Sequence, residues 1–189
     1  MTATESSAAT ATAEASRRTI ARALLGAAAV LALALVVASF AFATPAPPER
    51  PDAAAFTLEL LDGGSVSSDE LGGQPLVINV WASWCPPCRE EAPTLSRVSA
   101  DLKGSGVTFL GIVSDDTAQA ARDFAAEAGL DFPHAIDDGS FDRAYEVHAL
   151  PTTYVVDANG GIVATHLGPI TEARLRVLIE EARTSEAAP

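Results

Sequence analysis

The chain of 189 residues is short of cysteine, with only Cys85 and Cys88, and short of lysine, with Lys103 alone beside 11 arginines. Two cysteines cannot staple a disulfide miniprotein, nor complete a four-cysteine structural zinc site. Positive charge is scarce as a whole: 12 basic side chains stand against 25 acidic ones, for a formal net charge of -13. A nucleic-acid binder needs the opposite, a basic footprint to neutralise phosphates. Charged residues make up 20% of the chain and hydrophobic ones 48%, which excludes a mainly disordered protein. No nucleotide-binding fingerprint and no peroxidatic-cysteine loop motif occur. What is present is alanine, 38 residues of it, so alanine-rich stretches are weaker helix signals here than usual. The length suits one domain of ordinary size plus an appendage.

Charge is unevenly spread. Residues 1–22 carry three basic and two acidic side chains, whereas the chain after Ala43 carries 9 basic and 23 acidic. Between them, Ala23 to Ala43 is an uncharged apolar run of 21 residues. About 20 apolar residues in helix cross a bilayer, so this run is expected to be a single transmembrane helix. Arg17, Arg18 and Arg22 precede it and would stay on the cytoplasmic side, placing the acidic domain outside the cell membrane. A cleaved signal peptide is the alternative. Ala41-Phe42-Ala43 fits a small-x-small cleavage pattern, although the run is longer than the usual h-region. Ser16-Arg17-Arg18 also resembles a twin-arginine export signal. No cysteine lies near the end of the run, so lipid modification there is excluded. Residues 44–55 hold Pro45, Pro47, Pro48 and Pro51 and read as an extended linker, leaving 56–185 as the folded domain.

From Phe56 onward, strand and helix patterns alternate. Phe56–Leu60 reads as a strand ending at the Asp62-Gly63-Gly64 turn, and Leu76–Trp81 as a strand buried on both faces. A helix follows to about Lys103, then a strand at Val107–Val113 and a helix over Thr117–Gly129. Asp157-Ala158-Asn159-Gly160 joins Thr153–Val156 to Gly161–His166 as a hairpin. Thr171 caps a last helix whose apolar face holds Leu175, Leu178 and Ile179. The fold class is therefore α/β, a mixed sheet flanked by helices.

Cys85-Pro86-Pro87-Cys88 opens the helix that follows the buried strand. Two intervening residues in a first helical turn bring both sulfurs within bonding reach, with Cys85 expected at the exposed end and Cys88 one turn inside. Positive partial charge at the helix N-terminus stabilises a thiolate there. This makes Cys85 the nucleophile and Cys88 the resolving thiol of a redox pair that needs no other cofactor. A metal site is the weaker reading, since His134, His148 and His166 are scattered; none is assigned. Pro86 and Pro87 lack backbone N–H groups, so only amides from Cys88 onward can stabilise the Cys85 thiolate. Glu90 and Glu91 lie within a turn and disfavour further negative charge. The thiolate should therefore be only moderately stabilised and the couple relatively reducing.

The segment Val80-Trp81-Ala82-Ser83-Trp84-Cys85-Pro86-Pro87-Cys88-Arg89-Glu90-Glu91-Ala92-Pro93 resembles the active site of the TlpA/ResA-like family, membrane-anchored extracytoplasmic members of the thioredoxin superfamily. Leu150-Pro151-Thr152-Thr153 resembles that superfamily's second motif, and the likeness covers most of Phe56 to Arg183. The resemblance implies a thioredoxin-like fold and a cis proline at Pro151, facing the cysteine pair beside Leu150. It implies that Pro93 kinks the active-site helix and that Asn79 stands where cytoplasmic thioredoxins bury an aspartate. Glu91 would tune or relay protons to the thiols, its bland alternative being a solvated helix carboxylate. Trp84 would border the reactive cysteine and Trp81 pack beneath it. Thr117–Asp138 would form the family's inserted helix and strand.

The function expected from residues and resemblance together is an extracytoplasmic protein disulfide reductase. A membrane thiol transporter of the CcdA/DsbD kind would re-reduce it. Apocytochrome c or copper-site assembly proteins of cytochrome oxidase would be its substrates. Two alternatives stay open: an oxidase that introduces disulfides into exported proteins, and a copper carrier that uses the two thiolates as ligands.

Overall fold

A computed structural model of the chain describes residues 28, 31–33, 35 and 51–185. The expected tail, most of the expected membrane segment and the linker up to residue 50 lie outside the described residues. Those described between 28 and 35 are helical, with Leu31, Leu33 and Leu35 exposed. Among the described residues no helix is long and apolar enough to cross a membrane. The chain divides into two units, Met1–Glu49 and Arg50–Pro189, and the second holds the fold.

Seven strands form one sheet: β1 (Thr57–Leu60), β2 (Ser65–Ser67), β3 (Leu76–Trp81), β4 (Thr108–Val113), β5 (His134–Ile136), β6 (Thr152–Val156) and β7 (Ile162–Leu167). Their order across the sheet is β2-β1-β5-β4-β3-β6-β7. The pairs β3–β4 and β4–β5 are parallel and the remaining pairs antiparallel, so the sheet is mixed as expected. Among the described residues from 51 onward, five helices accompany it: α1 (Ser68–Leu71), α2 (Pro86–Asp101), α3 (Ala118–Ala128), α4 (Ser140–Ala144) and α5 (Glu172–Ser185).

The central strand β3 explains its own sequence. All six residues are buried, because the two faces of the strand serve different cores. Val77 and Trp81 join one cluster with Leu95, Phe124, Leu175 and Leu178 from α2, α3 and α5. Leu76, Ile78 and Val80 join the other, with Phe56, Phe141, Tyr145 and Tyr154. Alternation of side chains across a strand produces this division.

Boundaries follow local chemistry. Thr117 accepts a hydrogen bond from the Ala120 N–H to start α3, and Gly129 ends it in the left-handed conformation at φ 65°. The Asp157–Gly160 turn joins β6 to β7, and the Thr171 hydroxyl accepts from the Arg174 N–H at the start of α5. Five expected elements shift slightly: β1 begins at Thr57 rather than Phe56, α2 ends at Asp101 rather than near Lys103, β4 begins at Thr108 rather than Val107, β6 begins at Thr152 rather than Thr153, and β7 runs over Ile162–Leu167 rather than Gly161–His166. Strand β2 and helices α1 and α4 were not foreseen. At three to five residues each, they are too short to show a hydrophobic period.

Candidate active site

Trp81 is the carboxyl-terminal residue of the central strand β3, and the turn Ala82–Trp84 carries the chain into α2. Cys85 is the N-cap of that helix and Pro86 and Pro87 are its first two residues, where a missing N–H costs no helical hydrogen bond. Cys85 and Cys88 are joined as a disulfide, with Cα atoms 5.3 Å apart. The Cys88 N–H donates to the Cys85 sulfur at 3.2 Å. It is the amide that the two prolines leave available.

Cys85 does not stand exposed at the helix end as expected: it is 3% accessible, and Cys88 is 2% accessible. The N-cap position turns the Cys85 sulfur back over the first helical turn, onto Cys88. Cys85 nonetheless lines a groove of about 390 Å³, together with Trp84, Pro86, Pro87, Asp115, His148 and Leu150. The Leu150–Pro151 peptide is cis. A larger cavity of about 540 Å³ lies against His134 and Arg122 and contains neither cysteine.

Glu91 is buried in the second turn of α2, which removes the reading of a solvated carboxylate. Its Oε1 accepts from the Asn79 amide at 2.8 Å and its Oε2 from the Ile170 N–H at 2.9 Å. Asn79 also donates to the Thr153 hydroxyl at 3.1 Å. The group thus ties β3, β6 and the loop before α5 to the active-site helix. Burial pushes the Glu91 pKa up to about 7, against the opposing pull of its two hydrogen bonds. A carboxyl near neutrality, one helical turn beyond Cys88, is suited to exchange a proton in the working pH range.

The two tryptophans divide as the resemblance implied. Trp81 is buried, its ring 5.3 Å from that of Phe124, while Trp84 is 58% exposed at the groove. Pro93 lies inside α2. Arg89 stacks over the Phe124 ring at 4.6 Å and pairs with Glu127 at 3.3 Å.

Sequence reasoning missed the loop Ser114–Thr117, which meets the cysteine segment from β4. The Ser114 N–H donates to the Trp81 carbonyl at 3.0 Å, and the Ser83 N–H donates to Asp116 Oδ2 at 2.6 Å. Trp84 Nε1–H donates to the Asp115 carbonyl at 2.8 Å. Ser114-Asp115-Asp116 after a buried strand is the signal that was available, an acidic pair where a strand hands over to a helix.

The Redoxin family model matches residues 49–179. The thiol–disulfide oxidoreductase ResA of Halalkalibacterium halodurans is 33% identical over 126 residues, 66% of this chain and 72% of that protein. Among solved structures, a thiol:disulfide interchange protein of the thioredoxin family from Chlorobium tepidum TLS superposes with a TM-score of 0.67 at 27% identity. It covers 72% of this chain and 99% of its own. A DsbF homologue from Corynebacterium diphtheriae gives 0.65 at 27% identity, covering 74% of this chain and 96% of its own. The Redoxin match spans the sheet, the cysteine pair and the cis-proline loop together. The chain belongs to the Redoxin family, has a thioredoxin-like fold and is a thiol–disulfide oxidoreductase of the ResA type.

Proposed function

We propose that the protein is a protein disulfide reductase working on the extracytoplasmic side of the cell membrane, held there by residues 23–43. The Cys85 thiolate attacks a substrate disulfide, forms a mixed disulfide and releases one substrate thiolate. The Cys88 thiolate then attacks the Cys85 sulfur, frees the second substrate thiolate and leaves the Cys85–Cys88 disulfide. Two electrons pass to the substrate in each cycle. The chain has no third cysteine, so a dithiol donor, by resemblance a membrane thiol transporter of the CcdA/DsbD kind, must restore it. Exported proteins that must be reduced before haem or copper is inserted, such as apocytochrome c or copper-site assembly proteins, are the substrates this reading favours. Trp84, Pro86, Pro87 and Leu150 form the groove that would receive them, beside the cis Pro151.

One observation carries the reducing direction: the Cys85 sulfur accepts an amide N–H from Cys88, while Pro86 and Pro87 have none to offer. A thiolate with few donors is a less stable product, so the disulfide form is favoured and the couple is reducing. Equilibration with glutathione checks this. A potential near that of thioredoxin, about -270 mV, is expected, and one near -120 mV would establish an oxidase instead. Cys88→Ala expressed in the native membrane should hold Cys85 in mixed disulfides with its substrates. Recovery of the purified protein with stoichiometric copper and no insulin-reducing activity would instead establish the carrier reading.

A further inference from the structure

Trp84 is the large aromatic of the groove, yet at 58% exposure it has few neighbours to hold it. A surface tryptophan with two free side-chain torsions samples several rotamers. Here one is selected by the 2.8 Å hydrogen bond from Nε1–H to the Asp115 carbonyl. That carbonyl is presented by an unusual backbone: Asp115 has φ 48°, in the left-handed region that residues other than glycine seldom occupy. Aspartate tolerates this region better than most residues and β-branched ones worst.

The bend is pinned on both sides. Ser114 is held to β3 by its N–H on the Trp81 carbonyl and to α4 by its hydroxyl on Asp142 Oδ2 at 2.5 Å. Asp116 accepts from Ser83 N–H at 2.6 Å through one oxygen and from Thr117 N–H at 2.7 Å through the other. The left-handed residue is thus the free link between two fixed ones, and its carbonyl points to the indole.

We infer that Asp115 is a positioning residue that sets substrate affinity through its backbone: its left-handed conformation aims a carbonyl at Trp84 and fixes the indole as one wall of the Cys85 groove. This rests on the reading of that groove as the substrate site. The carboxylate of Asp115 is not the working group. Its replacement by glycine, which adopts φ > 0 freely, keeps the arrangement, whereas valine, which resists it, does not. An unfixed indole must be ordered each time a substrate binds, and that cost falls on binding rather than on sulfur chemistry.

The test compares Asp115→Gly, Asp115→Val and Trp84→Phe, using disulfide-bonded insulin as protein substrate and a small aromatic disulfide in parallel. Asp115→Val and Trp84→Phe should each raise KM for the protein substrate about fivefold, the worth of one ordinary hydrogen bond. Their kcat should hold, and each should lose more on the protein substrate than on the small disulfide. Asp115→Gly should raise KM less than Asp115→Val does, and the double variant Asp115→Val/Trp84→Phe should be no worse than either single one. The inference is overturned if glycine fails as valine does, if losses are equal on both substrates, or if the two single effects add. Should Asp115→Val fail to fold, the glycine and Trp84→Phe arms still decide. If the wild type reduces no protein disulfide at all, the functional reading fails before this one is reached.

Discussion

Glu91 shows how one side chain can be legible in identity and illegible in state. Its spacing from Cys88 could be read from the motif, but its burial could not, because the groups that cover it come from β3, β6 and the loop at Ile170. Its folded pKa of about 7 lies above its ordinary value of 4.5, so the folded state holds a proton that the unfolded state has released. The resulting stability is full below the ordinary value and is lost as pH rises to about 7, a change on the order of 3 kcal/mol. Denaturant titrations across this range should show the stability of wild type relative to Glu91→Gln falling by that order, to parity or below it at the neutral end. Both Glu91 partners are donors, so glutamine would turn its own NH₂ against one of them. The variant should therefore start about 1–3 kcal/mol less stable at the acidic end. A constant difference across the pH range would show that the carboxyl ionises as freely as an exposed one. Asp115 was missed for a different reason: its contact is made by a backbone carbonyl, and no residue type announces that.

Elements long enough to show a period were legible. Strand β3 matches its expected bounds, and α3 lies between the capping residues read for it, Thr117 and Gly129. The short elements and the loop contacts at the site were not, since they are specified by tertiary neighbours. Within β4, Gly111 illustrates the point. A Cβ there would clash with His134 Nδ1 and lie 2.8 Å from Trp81 Nε1, buried atoms that have no hydrogen-bond partner among the described residues. Gly111→Ala is expected to cost about 1–3 kcal/mol by overpacking, read as a lower denaturant midpoint. An unchanged midpoint would mean that the imidazole moves aside without penalty. At the start of α2 the expectation is chemical. Pro87→Ala returns an N–H to the second helical position, near the Cys85 sulfur. A hydrogen bond to a charged group is worth about 1.5–3 kcal/mol, so the thiolate should form more readily and the potential should rise. Glutathione equilibration reads the shift, and no shift would mean that the restored amide points elsewhere.

At the scale of the whole molecule, charge and hydropathy divide the chain before any fold is considered. The folded unit beginning at Arg50 holds its own sheet, both hydrophobic clusters and the disulfide. A protein starting at Arg50 is accordingly expected to fold without detergent and, on the proposed function, to reduce insulin as the full chain does while losing the membrane attachment proposed for residues 23–43. Loss of activity with retained circular dichroism would assign the leading segment a part in the chemistry. The cysteine count gains meaning at this scale: one pair offers no internal relay, so a protein working as the proposed reductase would need a visit from a donor at each turnover.

The near-complete covering of both sulfurs sets the terms of those visits. A couple so covered should exchange with small thiols slowly, though it still reaches equilibrium with them, much as a wire is insulated by its sheath. Its charge state is then decided by which proteins own a segment shaped for the groove, and only weakly by the ambient thiol pool. Two such circuits of different potential can run side by side in one compartment without short-circuiting.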